Sequence, residues 1–65
     1  MGKCLSAREL ETLTLAAQGL NQNQIAEQMQ VKAVTVKKHL ISVYAKLGVN
    51  NKVLAIEVAR TLKLL

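Results

Sequence analysis

Residues 21–47 predict two helices joined by a tight turn, and this pattern limits the fold more than any other feature of the chain. The first helix has an apolar side made by Ile25, Ala26 and Met29, where the small Ala26 lets another helix cross closely. The second helix is longer, and its apolar seam, spaced 4, 3 and 4 residues apart, consists of Val36, Leu40, Val43 and Leu47. Both helices must therefore pack their apolar sides into one core.

The side of the second helix opposite this seam carries cations and small groups. At about 100° per residue, Lys38 and Ile41 point away from the core and Lys37 lies on one flank of the same face. The rest of this outward side is formed by Val34, Ser42 and Ala45, with Tyr44 beside Lys37, and with Thr35, His39 and Lys46 on the other flank. An apolar Ile41 among polar neighbours indicates that this face contacts a partner.

Positive charge is concentrated in the second half of the chain. The formal net charge is +5 over 65 residues. Residues 31–65 contain seven lysines and arginines against Glu57 alone, whereas residues 1–30 carry Lys3 and Arg8 against three glutamates. Cations clustered around one helix favour a polyanion such as DNA or RNA, although an anionic membrane or an acidic protein surface would also be attracted.

Cysteine and histidine are too few to build a metal or disulfide site. Cys4 is the only cysteine, His39 is the only histidine, and the chain has no Asp. We therefore expect no internal disulfide, no zinc site and no cofactor. A catalytic pair of Cys4 and His39 would lack an Asp to orient the imidazole, and no Gly-rich phosphate loop is present, so an enzyme is not expected.

The sequence predicts one small domain, residues 5–65, behind an N-terminal tail, residues 1–4. No apolar run approaches the ~20 residues that span a bilayer, and no secretory signal is found, which indicates a cytoplasmic protein without a membrane partner. Met1 to Ser6 match the N-myristoylation pattern, but a start codon placed before a domain taken from a larger protein explains them more simply. Cys4 is then an inert terminal thiol rather than a redox sensor.

Capping residues divide residues 5–65 into four helices and leave no need for a strand. Ser6 with Glu9 three residues later predicts a capping box for a helix over residues 7–18, which Gly19 ends. Further along the chain, the same signals are Asn21 with Gln24 before the second helix, Gly48 after the third, and Asn50 or Asn51 before a fourth that runs to about residue 62. The predicted fold is all-α, a compact four-helix domain.

The fourth helix is more apolar than one buried stripe requires. Its predicted core face consists of Ala55, Ile56, Ala59 and Leu62. This choice leaves an outward ridge at spacings i, i+4 and i+7, formed by Leu54, Val58 and Thr61. Such a ridge suits two-fold pairing with a second copy, and we expect a homodimer that is weak alone and firmer on DNA.

Five short segments together resemble a known family. In chain order they are Leu5-Ser6-Ala7-Arg8-Glu9, Gly19-Leu20, Ile25-Ala26, Thr35-Val36-Lys37-Lys38-His39 and Lys46-Leu47-Gly48-Val49. Their order and spacing are similar to the LuxR-type (GerE-like) DNA-binding domain of bacterial transcription regulators. The resemblance implies a helix-turn-helix made by the second and third helices, a third helix that reads the major groove, and a fourth that pairs with a second copy.

The resemblance also assigns roles to individual residues. Lys37, Lys38 and Ile41 match positions that typically contact base edges. Positions that match or adjoin phosphate contacts are Thr35, His39, Lys46, Asn51 and Lys52. Plainer explanations stand beside these roles, since His39 could pack at the edge of the seam and the two neighbouring lysines could be ordinary solvated surface.

Three residues depart from the family pattern, and all lie away from the outward face. Gln30 replaces a small residue, usually Gly, in the turn, and Lys32 replaces a capping Ser or Thr. Thr12 stands where an aliphatic core residue is more common. These departures bear on stability rather than on function.

Two functions fit these features. The first is sequence-specific binding of double-stranded DNA as the effector domain of a bacterial transcription regulator, such as a response regulator, with a dimer on a pseudo-palindromic site. The alternative is a helical protein-interaction module that docks on RNA polymerase or another partner without reading DNA. The salt dependence of affinity distinguishes the two functions, because DNA binding weakens steeply as the salt concentration rises and apolar docking does not.

Overall fold

The computed structural model describes residues 5–65, which form four α-helices and no strand. These helices are α1 (Ala7–Ala17), α2 (Gln22–Met29), α3 (Ala33–Leu47) and α4 (Lys52–Thr61). Cys4 and the predicted tail lie outside the described residues. The all-α prediction and its assignment of the helix-turn-helix to α2 and α3 are confirmed.

Both predicted capping boxes are formed. At the start of α1, the Ser6 hydroxyl accepts from the Glu9 amide at 3.2 Å, and the Glu9 carboxylate accepts from the Ser6 amide at 2.8 Å. At the start of α2, the Asn21 side-chain oxygen accepts from the Gln24 amide at 2.8 Å, and the Gln24 side-chain oxygen accepts from the Asn21 amide at 2.9 Å. These bonds satisfy amide groups that a helix leaves without internal partners, and so fix where each helix begins.

Glycines end α1 and α3, as predicted. Gly19 has φ 94° and Gly48 has φ 72°, both in the left-handed region that residues with a Cβ adopt at a cost. After Gly48 the chain folds back, and the Val49 amide donates to the Tyr44 carbonyl at 2.9 Å. The chain therefore reverses sharply after each of these helices.

The turn between α2 and α3 contains the two departures that the sequence identified. Gln30 has φ 59° and ψ 44°, a left-handed conformation that costs a residue other than Gly roughly 1–2 kcal/mol. The Val31 amide then donates to the Ala26 carbonyl at 3.0 Å, which closes the turn. Lys32 stands at the N-cap of α3 and makes no side-chain capping bond. The turn is held by backbone bonds and carries conformational strain.

Replacing Gln30 with glycine should relieve this strain. We expect Gln30→Gly to raise the free energy of unfolding by about 0.5–1 kcal/mol, because glycine enters the left-handed region without a Cβ clash and loses part of that gain to chain entropy. Gln28→Gly is the matched control, since that residue lies in α2 and should lose about 0.5–1 kcal/mol. Urea denaturation measures both, and a destabilised Gln30→Gly would show that the turn is not strained.

The core consists of two clusters, and α3 contributes to both. The first contains Ala16, Ile25, Ala26, Met29 and Val36, and the second contains Leu13, Val43, Ala55 and Ala59. Helix α3 therefore packs against each of the other three helices. Thr12 is fully buried on α1, where its hydroxyl donates to the Arg8 carbonyl at 2.8 Å and so needs no water. The core tolerates this polar substitution because its hydrogen bond is made locally.

The prediction that Leu62 belongs to the core face of α4 is wrong. Ala55 and Ala59 are fully buried, but Leu62 is 58% exposed. The helix ends at Thr61, and Lys63 takes a left-handed conformation with φ 61° just beyond it. The buried face of α4 therefore stops at Ala59, because the chain leaves the helix before another turn can pack.

Candidate nucleic-acid interface

Helix α3 presents the predicted outward face to solvent. Val36 and Val43 on its inner side are fully buried, whereas Val34 and Ile41 on the opposite side are 54% and 56% exposed. The other exposed positions on this face are Lys37, Lys38 and Ala45. The three residues predicted to read bases, Lys37, Lys38 and Ile41, thus share one exposed surface. Contact with DNA stays a prediction.

The flank of α3 that faces α1 differs from the prediction. Ser42 was placed on the outward face, but it is half-buried and its hydroxyl donates to Glu9 Oε2 at 2.5 Å. Lys46 lies one turn further along, and its ammonium contacts Glu9 Oε1 at 2.6 Å. The assignment of Ser42 was wrong because α3 packs against three helices, so its buried arc is wider than one seam.

Glu9 is the charged residue at the centre of this flank. It is only 6% exposed, and its carboxylate accepts from the Ser6 amide as well as from Ser42 and Lys46. The hydrogen bond from Lys46, followed by those from Ser42 and Ser6, lowers the pKa of Glu9 from 4.5 to about 2, against the opposing effect of burial. Glu9 thus keeps its negative charge while it joins α1 to α3.

Sequence reasoning gave Glu9 a capping role and missed this second one. A signal was present, because Ser42 and Lys46 are four residues apart and so lie on one side of a helix. A hydroxyl and an ammonium in that register suit a shared carboxylate. The sequence could not say which of four glutamates supplies it.

The residues predicted to hold phosphates fall into two groups. Thr35, His39 and Lys46 are half-buried and lie on the same flank of α3 as Ser42. Asn51 and Lys52 are exposed at the start of α4, where the Asn51 side-chain oxygen caps the helix by accepting from the Leu54 amide at 2.9 Å. The capping bond leaves the Asn51 amide group outward, where it donates to the neighbouring Asn50 at 3.1 Å. No contact in the structure tests a phosphate role for either group.

The ridge predicted on α4 lies at the surface. Leu54 is 43% exposed, Thr61 is exposed and Val58 is half-buried, while Val53 beside the ridge is 64% exposed. Its role in pairing stays a prediction. Within the described part of the chain, no helix is long and apolar enough to cross a membrane. The same residues contain no cluster of three or more potential metal ligands.

Comparison with known proteins agrees on one family. Residues 3–59 match the family described as bacterial regulatory proteins, luxR family. The oxygen regulatory protein NreC of Staphylococcus aureus strain JH9 is 43% identical over 63 residues, which cover 97% of this chain and 29% of that protein. The crystal structure of the response regulator ChrA, from a heme-sensing two-component system, matches with a TM-score of 0.94 and 43% identity, over 100% of this chain and 32% of ChrA. The chain therefore spans less than a third of the length of these relatives.

Proposed function

The chain belongs to the luxR family of bacterial regulatory proteins, whose helix-turn-helix domains bind DNA and regulate transcription, and we propose that residues 5–65 are the effector domain of a response regulator. Its similarity to ChrA, a response regulator, supports this proposal. As a DNA-binding regulator domain, the chain is not an enzyme. The proposed activity is sequence-specific binding of double-stranded DNA, with α3 in the major groove.

The exposed face of α3 is the observation that carries this proposal. Lys38 and Ile41 lie opposite the fully buried Val36 and Val43, so a duplex that meets this face meets both outward side chains. A lysine donates to guanine O6 or N7, and an isoleucine contacts the thymine methyl group. With Lys37 on the same surface, the face combines hydrogen-bond donors with an apolar contact. That combination can discriminate between base pairs.

Phosphate contacts are proposed for the two groups beside this face. The flank residues Thr35, His39 and Lys46 and the α4 residues Asn51 and Lys52 carry hydroxyl, imidazole, amide and ammonium donors. Such contacts fix the position of the protein on the duplex without reading sequence. The surplus of positive charge in residues 31–65 supports their affinity for a polyanion.

Salt dependence of duplex binding tests the DNA-binding proposal. The affinity of the parent protein for a random-sequence duplex should fall steeply with salt, and Lys52→Ala should flatten the plot of log affinity against log salt by about 0.9. Lys63→Ala is the matched control, because it removes the same charge just beyond the far end of α4, about 15 Å away. Its slope should stay near that of the parent. An affinity that does not change with salt concentration would favour the alternative of a protein-docking module.

We also propose that the α4 ridge pairs two copies on DNA, in a dimer that is weak alone. Two-fold pairing matches a pseudo-palindromic site whose half-sites lie about one helical turn apart. Leu54→Glu should abolish cooperative binding to a full site and leave binding to a half-site unchanged, since it places a charge on the ridge. Val53→Glu adds the same charge next to the ridge and should keep cooperativity. Electrophoretic titration of a full site and of a half-site with both variants measures this cooperativity. If Leu54→Glu still binds the full site cooperatively, the ridge is not the interface.

A further inference from the structure

Glu9 joins the start of α1 to the C-terminal half of the proposed reading helix. Its two carboxylate oxygens accept from three donors, the Ser6 amide, the Ser42 hydroxyl and the Lys46 ammonium. Two of these donors belong to α3 and lie one turn apart. A single buried carboxylate therefore holds α3 at two points.

The position of these two points ties Glu9 to the DNA-binding face. Ser42 directly follows Ile41, and it lies one turn after Lys38. A rotation of α3 about its axis would break both of its bonds to Glu9 and leave a buried charge with the Ser6 amide as its remaining donor, which is costly. The bonds thus resist the same rotation that would move Lys38 and Ile41 away from a groove.

Lys46 adds an electrostatic consequence. Its ammonium is in contact with a carboxylate at 2.6 Å, and its side chain is 31% exposed. A phosphate that approaches Lys46 therefore meets a cation whose charge is already largely balanced by Glu9. The ion pair therefore reduces the contribution of α3 to non-specific attraction of DNA.

We propose that Glu9 is a positioning residue of the DNA-binding face, which fixes the rotation of α3 through Ser42 and limits the charge that Lys46 offers to phosphates. The proposal rests on the proposed function, and it extends the site to a residue on α1. Its expected effect is on selectivity. Glu9 raises discrimination between sequences by orienting the reading face and by lowering affinity for DNA in general.

Capping alone does not account for this arrangement. A capping box needs one acceptor at this position, and glutamine supplies it as well as glutamate. The Glu9→Gln variant therefore keeps an acceptor for the Ser6 amide and removes the charge that Lys46 contacts. Glu11→Gln is the matched control, because it removes the same charge from α1 at an exposed position, where its partner among residues 5–65 is Arg8 at 3.4 Å.

The experiment measures affinity for two duplexes across a salt series, one of random sequence and one recovered by selection with the parent protein. Relative to Glu11→Gln, Glu9→Gln should bind the random duplex more tightly and should steepen the salt slope by up to about 0.9, since the Glu9 carboxylate no longer balances the charge of Lys46. Its preference for the selected duplex should fall about tenfold, the equivalent of one good base contact. A purely structural role would change the unfolding temperature and leave the salt slope of the folded protein unaltered.

Three outcomes overturn the proposal. If Glu9→Gln and Glu11→Gln have the same slope and the same preference, Glu9 does not position the face, while selective binding by the parent leaves the proposed function intact. If the parent itself shows no selective binding, both proposals fail. If circular dichroism shows that Glu9→Gln is unfolded, the same measurements are made on Ser42→Ala, which removes one bond to Glu9 without a change in charge. That variant should lose preference at an unchanged slope, and unaltered preference overturns the proposal.

Discussion

Acidification from about pH 5 to about pH 2 should remove up to about 3 kcal/mol of folding free energy through Glu9 alone. Its pKa is 4.5 without the partners it has in the folded protein and about 2 with them. A depressed pKa gives stability that is fully present above the unfolded value and is lost as pH falls through the folded value. Solvent screens part of this contribution, because the Glu9 side chain is 8% exposed but that of its partner Lys46 is 31% exposed.

This effect is large for a chain of 65 residues, in which one hydrophobic core rarely supplies more than about 3–5 kcal/mol. Urea denaturation at a series of pH values measures it. The stability advantage of the parent over Glu9→Gln should shrink as pH falls, whereas its difference from Glu11→Gln should change little. If the parent and Glu9→Gln lose the same stability between pH 5 and pH 2, Glu9 is not the acid-sensitive group.

The features that could be predicted from sequence depend on neighbours a few residues apart. The capping boxes begun by Ser6 and Asn21 and the reversal after Gly48 are local, and all three are found in the structure. The exposed face of α3 also followed from local spacing, because a seam with Val36 and Val43 buried determines the opposite side of a helix. The sequence pattern was therefore sufficient for features that depend on residues within about one helix turn of each other.

The features that were missed depend on contacts between distant parts of the chain. Ser42 faces a partner 33 residues earlier, and a helical wheel of α3 cannot show that α1 covers this flank. Leu62 is in register with the buried Ala55 and Ala59, yet the buried face ends before it. Periodicity gives the direction of a side chain, but the arrangement of the other helices decides whether anything lies there.

Loss of the outward side chains of α3 should have the largest effect on function. If α3 lies in the major groove, Lys38→Ala and Ile41→Ala should each cost about 1–3 kcal/mol on the selected duplex, or roughly 5- to 150-fold in affinity. The loss on random DNA should be much smaller for Ile41→Ala, because a thymine methyl contact is absent from most sites. Specificity should therefore fall more than general affinity.

The matched controls for these two substitutions lie on α4 and just beyond its end. Lys63→Ala removes one exposed cation, and Val53→Ala trims an exposed apolar side chain at the opposite end of that helix. Both keep the outward face of α3 intact. Neither should change the ratio of affinities for selected and random duplexes by more than the error of the measurement.

That affinity ratio is the most direct test of the claim that α3 reads DNA. It is measured for the parent, Lys38→Ala, Ile41→Ala and the two controls at one salt concentration, with folding checked by circular dichroism. The account predicts a ratio that falls about fivefold or more for the two α3 variants and stays constant for the controls. If folded Lys38→Ala and Ile41→Ala bind the selected duplex as tightly and as selectively as the parent, α3 is not the reading helix and a protein-docking function is preferred.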